Sequence, residues 1–147
     1  MKPLKLLTLM LFTATAIGSF PFAADARPST ACYSVDAKRG WQYLQLSSTY
    51  SQVTRIRGSW TVDVSNFDRV GPQGYSDIST IEEYAGFTYD ETIPLGALLI
   101  GIPGSTYSWL NEPQQLTQPV TTVALRINDD DLALENNFGT LQVCFGN

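Results

Sequence analysis

Hydrophobic residues recur at every second position in several segments of the chain. The clearest segment places Ile56, Gly58, Trp60, Val62 and Val64 on one side, with Arg, Ser, Thr and Asp between them. A period of two is typical of β-strands with one buried and one solvated face. The pattern therefore predicts a protein built from half-buried strands.

Similar runs divide the chain into several short strands. The predicted strands are 31–35, 41–46, 55–64, 96–102, 107–110, 123–127 and 141–145. Residues typical of turns separate them at 71–74, 103–105 and 113–119, and 80–84 reads as a short helical turn. Short strands without a long helix predict a single all-β domain, either a sandwich or a barrel, and we favour a jelly-roll β-sandwich.

The three tryptophans allow different interpretations. Trp60 lies on the apolar side of its strand, so we expect it in the core. Trp41 precedes an alternating run and is also expected to face the core. Trp109 follows a turn, and its ring either packs inside or offers an exposed platform for a sugar.

The first 26 residues have the features of a secretory signal peptide. Lys2 and Lys5 precede the apolar stretch 6–17, and small residues surround a cleavage position near Ala26. This arrangement predicts export, to the cell exterior or the periplasm, of a domain spanning 27–147. The alternative is a buried N-terminal helix.

Cysteine content and charge are consistent with export. Cys32 and Cys144 are the only cysteines, and an isolated pair in an oxidising compartment usually forms a disulfide. Two free thiols are the alternative. The net charge of -5 disfavours nucleic acid and anionic membrane surfaces as partners, and nothing indicates membrane insertion.

An acidic segment between two predicted strands is the best candidate for a binding site. Its side chains that carry oxygen ligands are Asn128, Asp129, Asp130, Asp131, Glu135, Asn136 and Asn137. Calcium prefers six to eight oxygen ligands of these kinds, whereas zinc and copper sites use Cys or His. The segment therefore indicates a calcium site, although a solvated acidic turn has the same composition.

Five short motifs follow one another in an order that resembles a known family. They are Gly58-Ser59-Trp60, Gly71-Pro72-Gln73-Gly74, Gly96-Ala97-Leu98, Asn128-Asp129 and Asn136-Asn137-Phe138-Gly139. Together they resemble the calcium-dependent galactose-binding lectins of the LecA (PA-IL) type and related secreted modules. The resemblance covers the chain from about Val35 to Gly146.

The resemblance implies a jelly-roll sandwich with one calcium ion at a loop end. Asp129, Asn136 and Asn137 would bind the ion through their side chains, and Ala133 and Asp63 through backbone carbonyls. Sugar hydroxyls would complete the coordination shell. The ligand would then be a galactose-like glycan, and a homo-oligomer would supply several copies of a weak site.

Sugar contacts are also implied by the resemblance. Asp129, Asp130 and Asn136 would hydrogen-bond the glycan. The family's His and Gln after the G-P-x-G turn have no counterpart at 75–86, and Asp130, Asp131 and Leu132 replace a Gly-rich tract. Calcium binding is therefore better supported than galactose specificity.

Two other functions compete with sugar binding. An enzyme would need paired carboxylates, for which Glu82, Glu83, Asp90 and Glu91 are the candidates. The chain is short for a substrate cleft and lacks His, so we expect no catalysis. The second alternative is a calcium-stabilised structural or adhesion module that binds a protein and has no sugar specificity.

Overall fold

The computed structural model describes residues 29–77 and 82–147. Its strands are β1 (Ala31–Asp36), β2 (Gln42–Thr61), β3 (Leu98–Gly101), β4 (Ser108–Trp109), β5 (Gln114–Ile127) and β6 (Phe138–Gly146). Two 3₁₀ turns occur at Ala85–Phe87 and Leu134–Asn136. The predicted signal peptide at 1–26 lies outside the described residues, and the predicted helical turn is described only at 82–84, where it is helical.

All six strands belong to one antiparallel sheet with the order β1-β6-β2-β5-β3-β4. A disulfide joins Cys32 on β1 to Cys144 on β6, at positions that pair directly across the two strands. The predicted all-β class and the predicted disulfide are therefore confirmed. The jelly-roll arrangement of the strands stays a prediction.

Strand β2 is 20 residues long and includes two of the predicted strands. Its first half pairs with β5 and its second half with β6, and the register shifts at three places along it. The polar run 47–49 is exposed and ended the apolar alternation, which is why the sequence suggested a break. Such irregularities bend a strand without ending it.

The prediction of a turn at 113–119 is wrong, because β5 begins at Gln114. Pro119 lies inside the strand at an exposed position, where the pairing of β2 with β5 is irregular. Proline cannot donate to the ladder, and it is tolerated where the regular ladder is interrupted. Two prolines and a polar composition therefore imitated a turn.

The core consists of residues from every strand except β4, joined by residues of the connecting loops. Its largest fully buried apolar side chains are Trp60, Tyr50, Phe145, Leu98, Ile100, Leu110, Leu125, Ile127 and Leu141. The indole N–H of Trp60 donates to the carbonyl of Gly96 at 2.7 Å, which satisfies the one polar atom of that ring. The predicted core position of Trp60 is confirmed.

Two other predicted inward positions are wrong. Val64 is 60% exposed, because β2 ends at Thr61 and the chain leaves the sheet. Trp41 does not belong to the core cluster, and its ring lies next to Gly101, 3.5 Å from the position of an added Cβ. The alternation of β2 places Gln42, Leu44 and Leu46 inward, so Trp41 belongs to the opposite face.

The glycine of the N-N-x-G motif has a structural role. Gly139 has a φ of 105°, and a Cβ at this position would lie 2.5 Å from the carbonyl oxygen of Ser59. Only glycine adopts this conformation without strain and allows β6 to pass so close to β2. The motif therefore fixes the path of the chain after the acidic segment.

Within 29–77 and 82–147, no helix has the length and apolar character needed to cross a bilayer. The disulfide is compatible with a location outside the reducing cytosol.

Candidate functional site

The acidic segment connects the end of β5 to the start of β6. Asn128 and Asp129 follow the last residue of β5, and Asn137 comes directly before Phe138, the first residue of β6. By register, the end of β5 lies beside the start of β2 and the start of β6 beside the end of β2, so the pairing alone does not bring them together. The side chains of Asp129 and Asn137 nevertheless interact, so the two ends of the segment do meet, as the sequence predicted.

Asp129 and Asn137 form the buried centre of the segment. Asp129 is 3% exposed and Asn137 is 1% exposed. The Asp129 Oδ1 atom accepts a hydrogen bond from the backbone N–H of Asp130 at 3.0 Å, and the Asn137 amide donates to the carbonyl of Ala37 at 3.0 Å. The remaining atoms, Asp129 Oδ2 and Asn137 Oδ1, are buried and have no hydrogen-bond donor among the described residues.

Burial raises the pKa of Asp129 to about 6. The nearby Asn137 side chain and the Asp130 N–H act in the opposite direction, although the Oδ2 atom makes no hydrogen bond of regular geometry. A carboxylate that loses water without gaining a full set of partners is destabilised in its charged form. The centre of the segment therefore favours a cation or a proton beside Asp129.

A buried arginine below the segment was missed by the sequence analysis. Arg126 is 1% exposed and donates to the backbone carbonyls of Ile127 and Asp129, at 3.0 and 2.7 Å. It also forms an ion pair with Asp131 at 2.8 Å. Part of the negative charge that the sequence suggested a metal would neutralise is therefore already neutralised by the protein.

Asn128 was counted among the oxygen donors, but it has a structural role. Its side chain is fully buried and donates to the carbonyls of Asp90, Ile93 and Pro94 at 2.7–3.0 Å. Its Oδ1 accepts the backbone N–H of Asp90 at 2.8 Å. Asn128 therefore holds the loop before β3 against the sheet and has no free side-chain oxygen for a metal.

Asp130 is directed away from the buried centre. Its Oδ1 accepts the N–H of Leu132 at 2.9 Å, as in an Asx turn, and the residue is only partly buried. Asp130 is therefore next to the centre in sequence and partly exposed, and its contact with a sugar stays a prediction.

The other predicted calcium ligands differ in their exposure and in the hydrogen bonds that their oxygens already accept. Asn136 is exposed, and its carbonyl accepts the N–H of Val64 at 3.1 Å, which holds the end of the segment beside Asp63. The Ala133 carbonyl accepts one long hydrogen bond of 3.4 Å from Asn136. The Asp63 carbonyl accepts hydrogen bonds from Thr61, Asn66 and Phe67 at 3.0–3.2 Å.

These contacts decide how well the predicted set fits calcium. Asp129 and Asn137 each offer a free buried oxygen, the side chain of Asn136 is exposed, and the carbonyl of Ala133 accepts a single long hydrogen bond. Asp63 would have to give up hydrogen bonds in order to bind an ion. Among the described residues, no three His, Cys, Asp or Glu side chains form a metal-binding group. Calcium binding by the predicted set, in which Asp129 is the one carboxylate side chain, stays a prediction.

Trp109 is half-buried next to the G-P-x-G turn, and its indole N–H donates to the carbonyl of Pro72 at 3.3 Å. Its predicted role as a platform for a sugar stays a prediction.

Comparison with models of known protein families and with curated proteins finds no match for this chain.

Proposed function

We propose that the protein is a secreted carbohydrate-binding module whose sugar site depends on calcium. The observation that carries this proposal is the pair of buried oxygens, Asp129 Oδ2 and Asn137 Oδ1, which face no hydrogen-bond donor. Buried polar atoms in folded proteins nearly always have a partner, and each atom without one costs about 1 to 3 kcal/mol. Two such atoms at the same place are accounted for by a bound cation.

The ligand set would consist of four residues. Asp129 and Asn137 would bind from the buried side, Ala133 through its carbonyl, and Asn136 from the exposed side. Calcium, when bound, would supply coordination positions at which two vicinal sugar hydroxyls replace water. Asp130 and Asn136 lie at the surface and would orient those hydroxyls by hydrogen bonds. No covalent step follows from this set of residues.

The resemblance to lectins of the LecA type supports a galactose-like ligand. The net charge of -5 also favours a neutral ligand over an anionic one. The disulfide supports an extracellular or periplasmic location. A single sugar site of this kind is weak, so avidity would come from several copies of the protein.

Thermal unfolding of the disulfide-bonded chain tests the proposal. We expect millimolar calcium to raise the Tm, since extracellular calcium sites bind in about the 10⁻⁴ to 10⁻³ M range. Methyl β-galactoside should raise the Tm further, but only when calcium is present. Asp129→Ala should abolish both responses.

Glu135→Gln is the matched control, because Glu135 is an exposed carboxylate of the same segment outside the predicted ligand set. This variant should respond to calcium as the parent does. A chain that shows no change in Tm with calcium would contradict the proposed site. Stabilisation by calcium without any effect across a panel of glycans would instead indicate the structural or adhesion module.

A further inference from the structure

A groove on the outer face of the sheet lies apart from the acidic centre. It crosses strands β2, β5 and β3 and has a volume of about 660 Å³. Ligand clefts in proteins have volumes of about 300 to 1,000 Å³ and are lined mainly by apolar and aromatic groups. The groove therefore has the size of a small-molecule site.

The floor of the groove follows from the strand register. Tyr43 pairs with Ala124, and Ala124 pairs with Gly101 on the next strand. Two neighbouring positions in this row thus carry only a methyl group and a hydrogen atom. In the next row, Gln45 pairs with Thr122, so polar side chains continue the floor. Small residues at the centre of a sheet face leave a depression that larger neighbours surround.

Aromatic rings form the sides of this depression. Tyr43 is 83% exposed, and its hydroxyl makes no hydrogen bond within the described part of the chain. Trp41 lies beside Gly101, and its ring centroid is 5.7 Å from that of Tyr107. The groove thus has fixed rings at one end and one freely exposed ring along its side.

The fixed rings are held by charged groups behind them. The guanidinium of Arg126 lies 3.9 Å from the ring centroid of Tyr89 and 5.7 Å from that of Trp41. The hydroxyl of Tyr107 donates to Asp90 at 3.0 Å. Cation–π and hydrogen-bond contacts of this kind fix the rings before a ligand arrives, which lowers the entropic cost of binding.

None of the residues that line the groove carries a formal charge, although the chain as a whole has a net charge of -5. Besides the rings, its polar groups are the amide of Gln45 and the hydroxyls of Ser105 and Thr122. We propose that this groove binds a neutral oligosaccharide of equatorially substituted pyranose rings, independently of calcium. The aromatic faces and the uncharged polar edges together carry this assignment.

The chemistry of such sugars matches both parts of the groove. An equatorially substituted pyranose ring directs its C–H groups to its two faces and its hydroxyls to its rim. The face of an aromatic ring is electron-rich and attracts these weakly positive C–H groups. The hydroxyls of the rim would bond to Gln45, Ser105 and Thr122. The Gln45 amide already donates to the carbonyl of Thr121 at 3.1 Å, and a purely apolar ligand would cover the hydroxyls of Ser105 and Thr122 without bonding to them.

The test is calorimetric titration of the full, disulfide-bonded chain with cellotetraose in EDTA. We expect binding without calcium. Tyr43→Ala should weaken it about three- to tenfold through the loss of one stacking face. Thr122→Arg, which places a long charged side chain across the floor, should abolish it. Phe87→Ala is the matched control, because Phe87 is an exposed aromatic residue outside the groove, and its binding should equal that of the parent.

Absence of cellotetraose binding by the parent chain would overturn the assignment, and so would unchanged binding by Tyr43→Ala. A dimer that Tyr43→Ala dissociates in analytical ultracentrifugation would assign the groove to a second copy of the chain and would also overturn it. The parent should bind cellotetraose equally well in EDTA and in millimolar calcium. The calcium-dependent response to methyl β-galactoside can therefore be absent while cellotetraose still binds in the groove. Equally, cellotetraose binding can be absent while the response to calcium and methyl β-galactoside is present.

Discussion

The acidic centre and the aromatic groove both contact Arg126, but their polar groups lie in different environments. At the acidic centre, buried oxygens outnumber the donors that reach them, and Asp129 Oδ2 and Asn137 Oδ1 have no donor among the described residues. In the groove, the polar side chains carry no charge, and the charges of Arg126 and Asp90 lie behind the rings. Arg126 serves both regions, through its hydrogen bond to Asp129 and its contact with Tyr89. The first region leaves two buried oxygens without a donor, whereas the polar side chains of the second line an open groove.

The largest effect should come from removing the shared arginine. Arg126→Met should lower the free energy of unfolding by about 2 to 4 kcal/mol, because two buried carbonyls and Asp131 lose their donor. Urea denaturation measures this loss. Arg57→Met, at an exposed position on β2, should change stability by less than about 0.5 kcal/mol. Equal effects of the two substitutions would mean that Arg126 does not connect the two regions.

The second-largest effect should be a gain in the free energy of unfolding, from a substitution of Asp129 in the acidic centre. Asp129→Asn keeps an acceptor for the Asp130 N–H and removes the charge from a buried carboxylate whose Oδ2 has no donor among the described residues. Without calcium at pH 7.5, we expect the variant to be more stable than the parent by on the order of 1 to 2 kcal/mol. Chemical denaturation in EDTA measures the difference. A variant less stable than the parent would contradict the account of the free oxygens.

The parent and Asp129→Asn should also differ in the pH dependence of their stability. Since the pKa of Asp129 is raised from 3.8 to about 6 by folding, the folded chain binds more protons than the unfolded chain between these values. The contribution of Asp129 to stability is therefore largest below about pH 4 and is lost as the pH rises through about 6. The stability advantage of Asp129→Asn should be small at pH 4 and should grow towards pH 7. Calcium should remove this difference in the parent by favouring the charged carboxylate.

The smallest effect should come from the groove. Tyr107→Phe removes the hydroxyl that donates to Asp90 and should cost about 0.5 to 1 kcal/mol. The hydrogen bonds from Thr92 and from Tyr107 lower the pKa of Asp90, so losing the one from Tyr107 should raise that pKa. Tyr43→Phe, which removes an unbonded hydroxyl, should leave stability unchanged. Chemical denaturation of both variants compares Tyr107, whose hydroxyl is hydrogen-bonded, with Tyr43, whose hydroxyl makes no hydrogen bond within the described residues.

Local alternation predicted most strands, because inward and outward positions depend only on neighbours in the sequence. The core position of Trp60 followed from such alternation and is confirmed. The Cys32–Cys144 disulfide, which is also confirmed, followed instead from an isolated cysteine pair in an exported chain. The length of β2 was not predictable in this way, because its polar middle, 47–49, falls in the register shift between Gln45 and Tyr50, and the strand continues through it between two paired halves. The turn predicted at 113–119 was wrong for a related reason, because pairing with β2 holds this polar segment in β5.

The site was predictable only in part for a physical reason as well. The sequence placed Asp129 and Asn137 in one segment, but it could not show which oxygens already have donors. Asn128 has the same residue type as Asn137, yet the loop before β3 uses all of its hydrogen-bonding capacity. The burial of Arg126 depends on Tyr89, which is distant in sequence. Contacts between distant segments leave no periodic signal.

The short strand β4 has a consequence for how copies of the protein behave at high concentration. A sheet edge with free N–H and C=O groups is a template on which another chain can add a strand and begin to aggregate. At the β4 edge this template is only two residues long, Ser108–Trp109, and the G-P-x-G turn contacts its indole. The opposite edge, β1, is six residues long. Strand addition and fibril growth should therefore begin at β1.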